Sequence, residues 1–402
     1  MTQIHPLDSV KTLKIERIEI FVTELPVRVQ RIFSSGSYDT GPANQVLGKP
    51  VLVKIFAEGV VGYGQIRPIT PGHFLADTTQ GMVAAIREIY GKNLIGKSIF
   101  DIESANEMFD LRLAGNPCSR AVLDIALYDA MGKALNMPVH QLIGGACQPR
   151  IPLEWSVSLA NDVQTIINEA TRAVNEFGIK VLCIKAADRR GWRQDVKHFA
   201  AVRKAVGDDV VIGVDPNTGW SMADALAATH ALREYDLGYI EQPIDRRDLA
   251  GMAEIRRQAM GIPVMADEAL FTVQDAYAIA EARAADAYCI KLYKIGGLTP
   301  AKKIAAIAQA ANIQLNCGGL AVQCQLEAAA GAHFYASTPE KRMMGAAEFV
   351  FGLNTIGPDP IVPVTDFVVK DGHVNVPTGP GLGITVDEAA LKKHTLLHEV
   401  VR

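Results

Sequence analysis

Lys185, Asp215, Glu241, Asp267 and Lys291 follow one another at intervals of 30, 26, 26 and 24 residues. Each ends or nearly ends a short apolar run: VLCIK, VVIGVD, LGYIE, IPVMAD and AYCIK. Three carboxylates on successive rigid elements supply the oxygen ligands that a hard divalent cation takes, and Mg²⁺ leaves places for water or substrate oxygens. Without a cation, three carboxylates at close range repel strongly. The plainer alternative is that they cap helices or pair with the lysines. The lysines would flank the cation, and positive charge nearby disfavours the ammonium form, which suits a base working near neutral pH. They could equally be structural ion-pair partners. Three carboxylates, Mg²⁺ and one substrate carboxylate sum to two negative charges, which two ammonium groups balance. Such a site suits proton abstraction beside a carboxylate, through an enediolate whose charge the metal stabilises.

Apolar runs at that interval, with helical sequence between them, read as parallel βα units. Strands are expected near 151–159, 181–187, 210–216, 238–242, 263–267, 287–293, 313–317 and 346–351. In a closed barrel their C-terminal ends share one mouth, which would bring the five residues together. Before the barrel, residues 13–25 alternate as a half-buried strand, 31–45 reads as a polar loop, and 50–58 with 60–65 reads as a hairpin turning at Glu58-Gly59. Helices are expected over 77–89, 101–113 and 119–135. These elements predict an α+β domain over 1–145, a barrel over 146–358 and a closing segment over 359–402 that packs back on the first domain. Residues 1–10 read as a loose leader, and 366–376 as a hairpin around Asp371-Gly372.

The chain has 402 residues, 49% of them apolar and 21% charged, which is enough apolar material for a large core. A net charge of −4 with no basic run argues against nucleic acid or an acidic membrane surface as partner. Six cysteines without a C-x-x-C pair suit a reduced, cytoplasmic protein. No apolar run is long enough to span a bilayer, and the first residues carry no apolar signal core.

Lesser candidates surround the main five. Asn217 (VDPN) could support the ligand set and Glu268 (ADEA) could bond a lysine or a ligand; both could be solvated loop residues. Glu348 (GAAEFVFG) would end the eighth strand as a proton donor or polar contact, or be a plain wall acid. Gln323 is a weaker candidate for the mouth. The pair Gly318-Gly319 allows close approach of backbone to substrate, or simply a turn. Lys294 reads as structural. The histidines are scattered, and the glycines at 379, 381 and 383 do not follow a strand and open a helix, so no dinucleotide site is indicated.

Over nearly its whole length the chain resembles the enolase superfamily, in particular its muconate-lactonizing (muconate cycloisomerase) subgroup. SRAVLDIALYDAMGKALNMPVHQLIGG resembles the last helix of that family's capping domain. YIEQP, MADEA and IKLYKIGGL resemble its fourth, fifth and sixth barrel-strand motifs, and GAAEFVFG and PTGPGLGITVDE its eighth-strand and closing segments. The resemblance implies an α/β fold, a (β/α)7β barrel with an α+β cap. It implies Mg²⁺ (or Mn²⁺) held by Asp215, Glu241 and Asp267, with Lys185 and Lys291 as acid–base groups on opposite faces of the substrate. It also implies loops near 31–45 and 66–74 that close over a small carboxylate substrate, and assembly as a homo-oligomer, dimer or octamer. Three positions depart from the pattern: Cys183 replaces the first lysine of a K-x-K motif, Gln323 stands where a Glu is frequent, and Ala186-Ala187 replaces a glycine-containing turn.

The expected activity is that of a cytoplasmic, metal-dependent isomerase, a cycloisomerase or a racemase/epimerase. Alternatives are β-elimination at the same site, with Lys291 as acid, or a catalytically silent barrel that binds a ligand. A nucleotide-using enzyme is disfavoured, since no glycine loop cradles phosphate.

Overall fold

The computed structural model describes residues 12–24, 30–34, 36–39, 48–68, 75–319 and 323–402. The leader at 1–10 lies outside the described residues, as do 35 and 40–45 of one expected loop and 69–74 of the other. The alternating stretch becomes β1 (Ile15–Thr23). Where a loop was expected, β2 (Gln30–Phe33) and β3 (Gly36–Asp39) pair as a short antiparallel hairpin. Glycine and serine hide such a strand from sequence reading, because pairing partners rather than propensity decide it. β4 (Val51–Ala57) and β5 (Val60–Ile66) turn through Glu58 and Gly59, both at positive φ. That geometry matches the twist of a tight hairpin.

β5 lies directly on the helix Pro117–Leu135, whose residues are buried on nearly every side. A Cβ on Gly64 would sit 2.1 Å from the Val122 carbonyl oxygen, so only glycine lets strand and helix approach this closely. The earlier helical stretch is Thr79–Ala85, a π turn at Ile86–Tyr90, and Gly91–Leu94; Ile102–Arg112 follows.

After β6 (Arg150–Pro152), seven strands stand in chain order as neighbours in one parallel sheet: β7 (Glu154–Val157), β8 (Val181–Lys185), β9 (Val211–Asp215), β10 (Leu237–Glu241), β11 (Val264–Ala266), β12 (Ala287–Ile290) and β13 (Gln314–Cys317). Helices alternate with them. Two expectations need correction. The run 287–293 ends as strand at Ile290, and Leu292–Ile295 coils into one helical turn that ends at Gly296 in the left-handed region. The run 346–351 is not a strand. Its stave is Met343–Glu348, held by single contacts: Met344 N–H to Leu315 O (2.7 Å) and Glu348 N–H to Cys317 O (2.9 Å) on β13, and Glu154 N–H to Ala347 O (2.8 Å) on β7. Gly345 at φ 70° breaks extended pairing, and Phe349–Gly352 then coils as a 3₁₀ turn. The stave bridges the two edge strands of the sheet.

Beyond the barrel, Asp371-Gly372 turns tightly as expected, but the outgoing β14 (His373–Asn375) pairs with β6. β15 (Thr395–Val401) pairs antiparallel with β1, giving the order β15-β1-β4-β5. Cap and barrel meet at Asp124 of the cap helix. Its carboxylate accepts from the backbone N–H groups of Leu298 (2.6 Å) and Thr299 (3.2 Å) and from Thr299 Oγ1 (2.7 Å). It thereby caps the barrel helix Leu298–Ala311 from another domain. Among the described residues no helix is long and apolar enough to cross a membrane.

Candidate active site

Period-two alternation explains what reaches the mouth. Along the barrel strands one set of side chains packs outward in the main core, among them Leu182, Ile184, Ile212, Val214, Ile240, Val264 and Ile290. The other set faces the barrel axis. Its lower layer includes Cys183, Tyr239, Met265 and Cys289, which form a small cluster of their own. Two residues further along each strand stand Lys185, Glu241, Asp267 and Lys291, with Asp215 beside Lys185 in register. All five are buried.

The three carboxylates are held differently. Asp215 accepts from Lys185 Nζ through Oδ2, and from Asn217 through its backbone N–H (2.7 Å) and Nδ2 (2.8 Å). The same Asn217 amide donates to Glu268 Oε1 at 3.1 Å. Asp267 accepts Lys291 Nζ at Oδ2 (2.7 Å), while Lys294 Nζ bonds both its Oδ1 and its backbone carbonyl. Glu241, between them, is the least satisfied. Its Oε2 has the Cys183 thiol at 3.6 Å; among the described residues its Oε1 accepts no hydrogen bond, and Lys291 Nζ stands 3.6 Å from it. Gln242, at φ 31°, braces the floor by accepting from the backbone N–H groups of Asp267 (3.1 Å) and Ala269 (3.0 Å). Glu348 Oε2 stands 3.8 Å from Lys291 Nζ.

Charge explains the strain in this arrangement. Burial, and then Asp215, push the Glu241 carboxyl well above the usual range. Burial with Asp267 and Asp215 raises Glu268 to about 8. Burial alone would also raise Asp267, but Lys291 and Lys294 outweigh it and hold that group ionised. Burial works against both lysine charges, yet Asp215 beside Lys185 and Asp267 beside Lys291 keep them ammonium well into alkaline pH. Five carboxylates (Asp215, Glu241, Asp267, Glu268, Glu348) face three ammonium groups (Lys185, Lys291, Lys294), a formal deficit of two positive charges. A buried oxygen without a donor, three carboxylates in a row and that deficit fit a hard divalent cation. Two overlapping groups bring donor atoms within 4.8 Å of one another: Cys183, Asp215 and Glu241, and Glu241, Asp267 and Cys289.

The hairpin of β2 and β3 reaches this rim. Lys185 Nζ lies 5.6 Å from the Phe33 ring centroid, and Ser34 Oγ donates to the Asn217 carbonyl at 3.2 Å. A cleft of about 460 Å³ opens between Ile32–Ser34 and the turns at 159–161 and 187–190.

Asn217, Glu268 and Glu348 thus stand among the main five. Gln323 makes no bond to them: among the described residues its buried amide has no hydrogen-bond partner, and its backbone N–H bonds Phe351 O at 3.3 Å. Sequence reading left Lys294 out of the site, although its spacing of three from Lys291 places it one helical turn on, under Asp267. It also missed Glu154 on β7, which accepts from Tyr239 OH at 2.7 Å beneath the mouth and is raised to about 8 by burial and Glu348. The signal was an acid in the middle of an apolar strand, LEWSV.

Comparison with known proteins places this geometry. A family model described as enolase C-terminal domain-like matches residues 165–390, and one for the mandelate racemase / muconate lactonizing enzyme N-terminal domain matches residues 43–144. An N-succinyl-L-Arg/Lys racemase from Bacillus cereus is 32% identical over 397 residues, covering 97% of this chain and 100% of the relative. Its crystal structure superposes with a TM-score of 0.85 over 97% of this chain and 100% of that one, at 31% identity. A chloromuconate cycloisomerase from Cupriavidus necator is 30% identical, covering 95% of this chain and 99% of the relative. A hydrophobic dipeptide epimerase from Enterococcus faecalis is also 30% identical, over 93% and 99%.

Proposed function

Because this chain belongs to the mandelate racemase / muconate lactonizing enzyme family, we propose that it is a Mg²⁺-dependent isomerase that moves the proton α to the carboxylate of a small substrate, as a racemase or epimerase. The observation that carries this reading is the placement of Lys185 and Lys291 at opposite ends of the row Asp215, Glu241, Asp267. A carboxylate substrate bound over that row offers one face of its α-carbon to each lysine. One lysine removes the proton and the other returns it from the opposite side, which inverts the centre. Bound by Asp215, Glu241 and Asp267, the cation would hold the substrate carboxylate and stabilise the charge that develops on it. Asn217 orients Asp215, Gln242 fixes the backbone that carries Asp267, and Lys294 keeps Asp267 ionised. Phe33 shields the Lys185 side from water.

Both lysines bond their carboxylates directly here, so each must exchange that partner for substrate before it acts. Asp215 and Asp267 hold the two ammonium charges; with their oxygens engaged as cation ligands they would hold them less strongly, and the lysine protons would be released more readily. The reading extends to a cytoplasmic homo-oligomer; six unpaired cysteines, five of them buried, support a reducing compartment.

The test is α-proton exchange in D₂O with Mg²⁺, followed by NMR over N-succinyl amino acids, dipeptides and muconates. Exchange with inversion on an N-succinyl amino acid or a dipeptide supports the racemase or epimerase. Lactone formation from a muconate supports the second reading, a cycloisomerase, which the Cupriavidus necator relative favours. Inversion that survives in either Lys185→Ala or Lys291→Ala would sink the mechanism.

A further inference from the structure

We propose that the mouth carries a second, mutually exclusive metal-binding mode, in which a thiophilic divalent ion such as Cd²⁺ or Zn²⁺ is bound by the Cys183 thiolate with Asp215 and Glu241. The inference rests on the reading that these carboxylates face a cation. Cys183 is fully buried on the inner face of β8, one layer below Lys185. Its Sγ stands 3.6 Å from Glu241 Oε2, and the donor atoms of Cys183, Asp215 and Glu241 all lie within 4.8 Å of one another. Glu241 Oε1, on a residue only 1% exposed, has no hydrogen-bond donor among the described residues. Mg²⁺ takes oxygen ligands, whereas thiolate sulfur selects softer ions. A sulfur among the oxygens therefore gives this chain an ion preference that an all-oxygen set lacks.

Cys289 is the rival thiol, grouped with Glu241 and Asp267. Its Sγ points to Asn316 Oδ1 at 3.9 Å, and Asp267 already carries two ammonium groups against one on Asp215. An ion on the Cys183 side displaces less positive charge. Binding there forms a metal–sulfur bond as the S–H bond breaks, and the thiol proton leaves to solvent along with any proton held by the carboxyl ligands. Because Asp215 and Glu241 are shared, the thiophilic ion excludes Mg²⁺ and stops the enzyme.

The test uses full-length protein carrying Cys147→Ser, which removes the exposed cysteine. The metal-stripped protein is titrated with Cd²⁺ while the near-ultraviolet thiolate-to-metal band and the pH of a weakly buffered solution are followed. One ion per chain, one proton more released than from the Cys183→Ser variant, and a band that excess Mg²⁺ suppresses are expected. Cys183→Ser and Cys183→Ala in that background should lose the band and weaken Cd²⁺ at least about tenfold, while Cys289→Ser keeps both. Mg²⁺ heats measured by calorimetry report that the Cys183 variants are folded. A band that persists in both Cys183 variants, or that Mg²⁺ leaves unchanged, overturns the proposal. No sulfur band alongside normal Mg²⁺ binding defeats this inference alone. A Cd²⁺ band with no Mg²⁺ binding and no proton exchange defeats the proposed function instead.

Discussion

Asp267 receives two ammonium groups, and only one of them has somewhere else to go. Lys291 has Glu241 and Glu348 within 4 Å. Lys294 is 0% exposed and, among the described residues, bonds Asp267 alone among carboxylates, plus backbone carbonyls. Their substitutions should therefore separate. Lys291→Ala should cut turnover about 10²–10⁴-fold, the range of acid–base groups, with Mg²⁺ still bound by calorimetry. Lys294→Met should instead leave Asp267 short of charge and cost about 3–5 kcal/mol, as when one partner of a buried pair is removed, measured by denaturant unfolding. A carboxyl away from the mouth gives a pH signature. Glu327 is buried on the helix Gln325–Ala336 and raised to about 8, chiefly by burial. The unfolded chain ionises that group near pH ~4.3. Between those values the folded form holds the extra proton, so stability is full at low pH and falls as pH rises through about 8. Glu327→Gln should flatten the fall in Tm between about pH 5 and about pH 8, measured by calorimetry. The strand-end residues were legible because a charge that ends an apolar run is visible in one dimension. Lys294 and Glu154 were not, because nothing in local sequence distinguishes a buried polar residue under the site from a solvated one.

At the scale of elements, the barrel shape lets the side chains in only where backbone gives room. A Cβ on Gly318, just past β13, would lie 2.5 Å from Lys291 Cε and from Cys289 Sγ. Gly318→Ala should displace Lys291 and lower kcat by more than its effect on Tm would suggest, checked by comparing exchange rates with melting curves. Sequence reading located the pair Gly318-Gly319 and offered room for substrate or a simple turn; the neighbour that needs the room at Gly318 is a lysine from the adjacent strand, a contact no local pattern records. Helix and strand positions were largely readable from periodicity. The eighth stave was not: its GAAEF pattern looks extended, and only the edges of β13 and β7 on either side show that isolated hydrogen bonds suffice there.

Across the whole molecule, cap and barrel are joined by side chains buried between them rather than by a linker. Asp124 is buried beneath Gly297, where a Cβ would meet its Oδ2 at 2.5 Å, and it also accepts from Asn106 Nδ2 at 2.9 Å. Asp124→Ala should remove the cap of the helix Leu298–Ala311 and cost about 1–2 kcal/mol. We expect scanning calorimetry to show the cap and barrel transitions moving apart. The IKLYKIGGL run was legible as barrel sequence, but its second function, as the socket for the cap helix, depends on a residue about 170 positions earlier in the chain. The pairing of β1 with β15 has a further consequence, for the order of synthesis. A ribosome makes Ile18 long before its partner Val401. One flank of β1 must therefore wait, unpaired, while the whole barrel is translated, and the loop that finally closes is among the longest the chain can form. A strand made early is thus among the last to be completed, and the nascent protein carries an open sheet edge while the whole barrel is made.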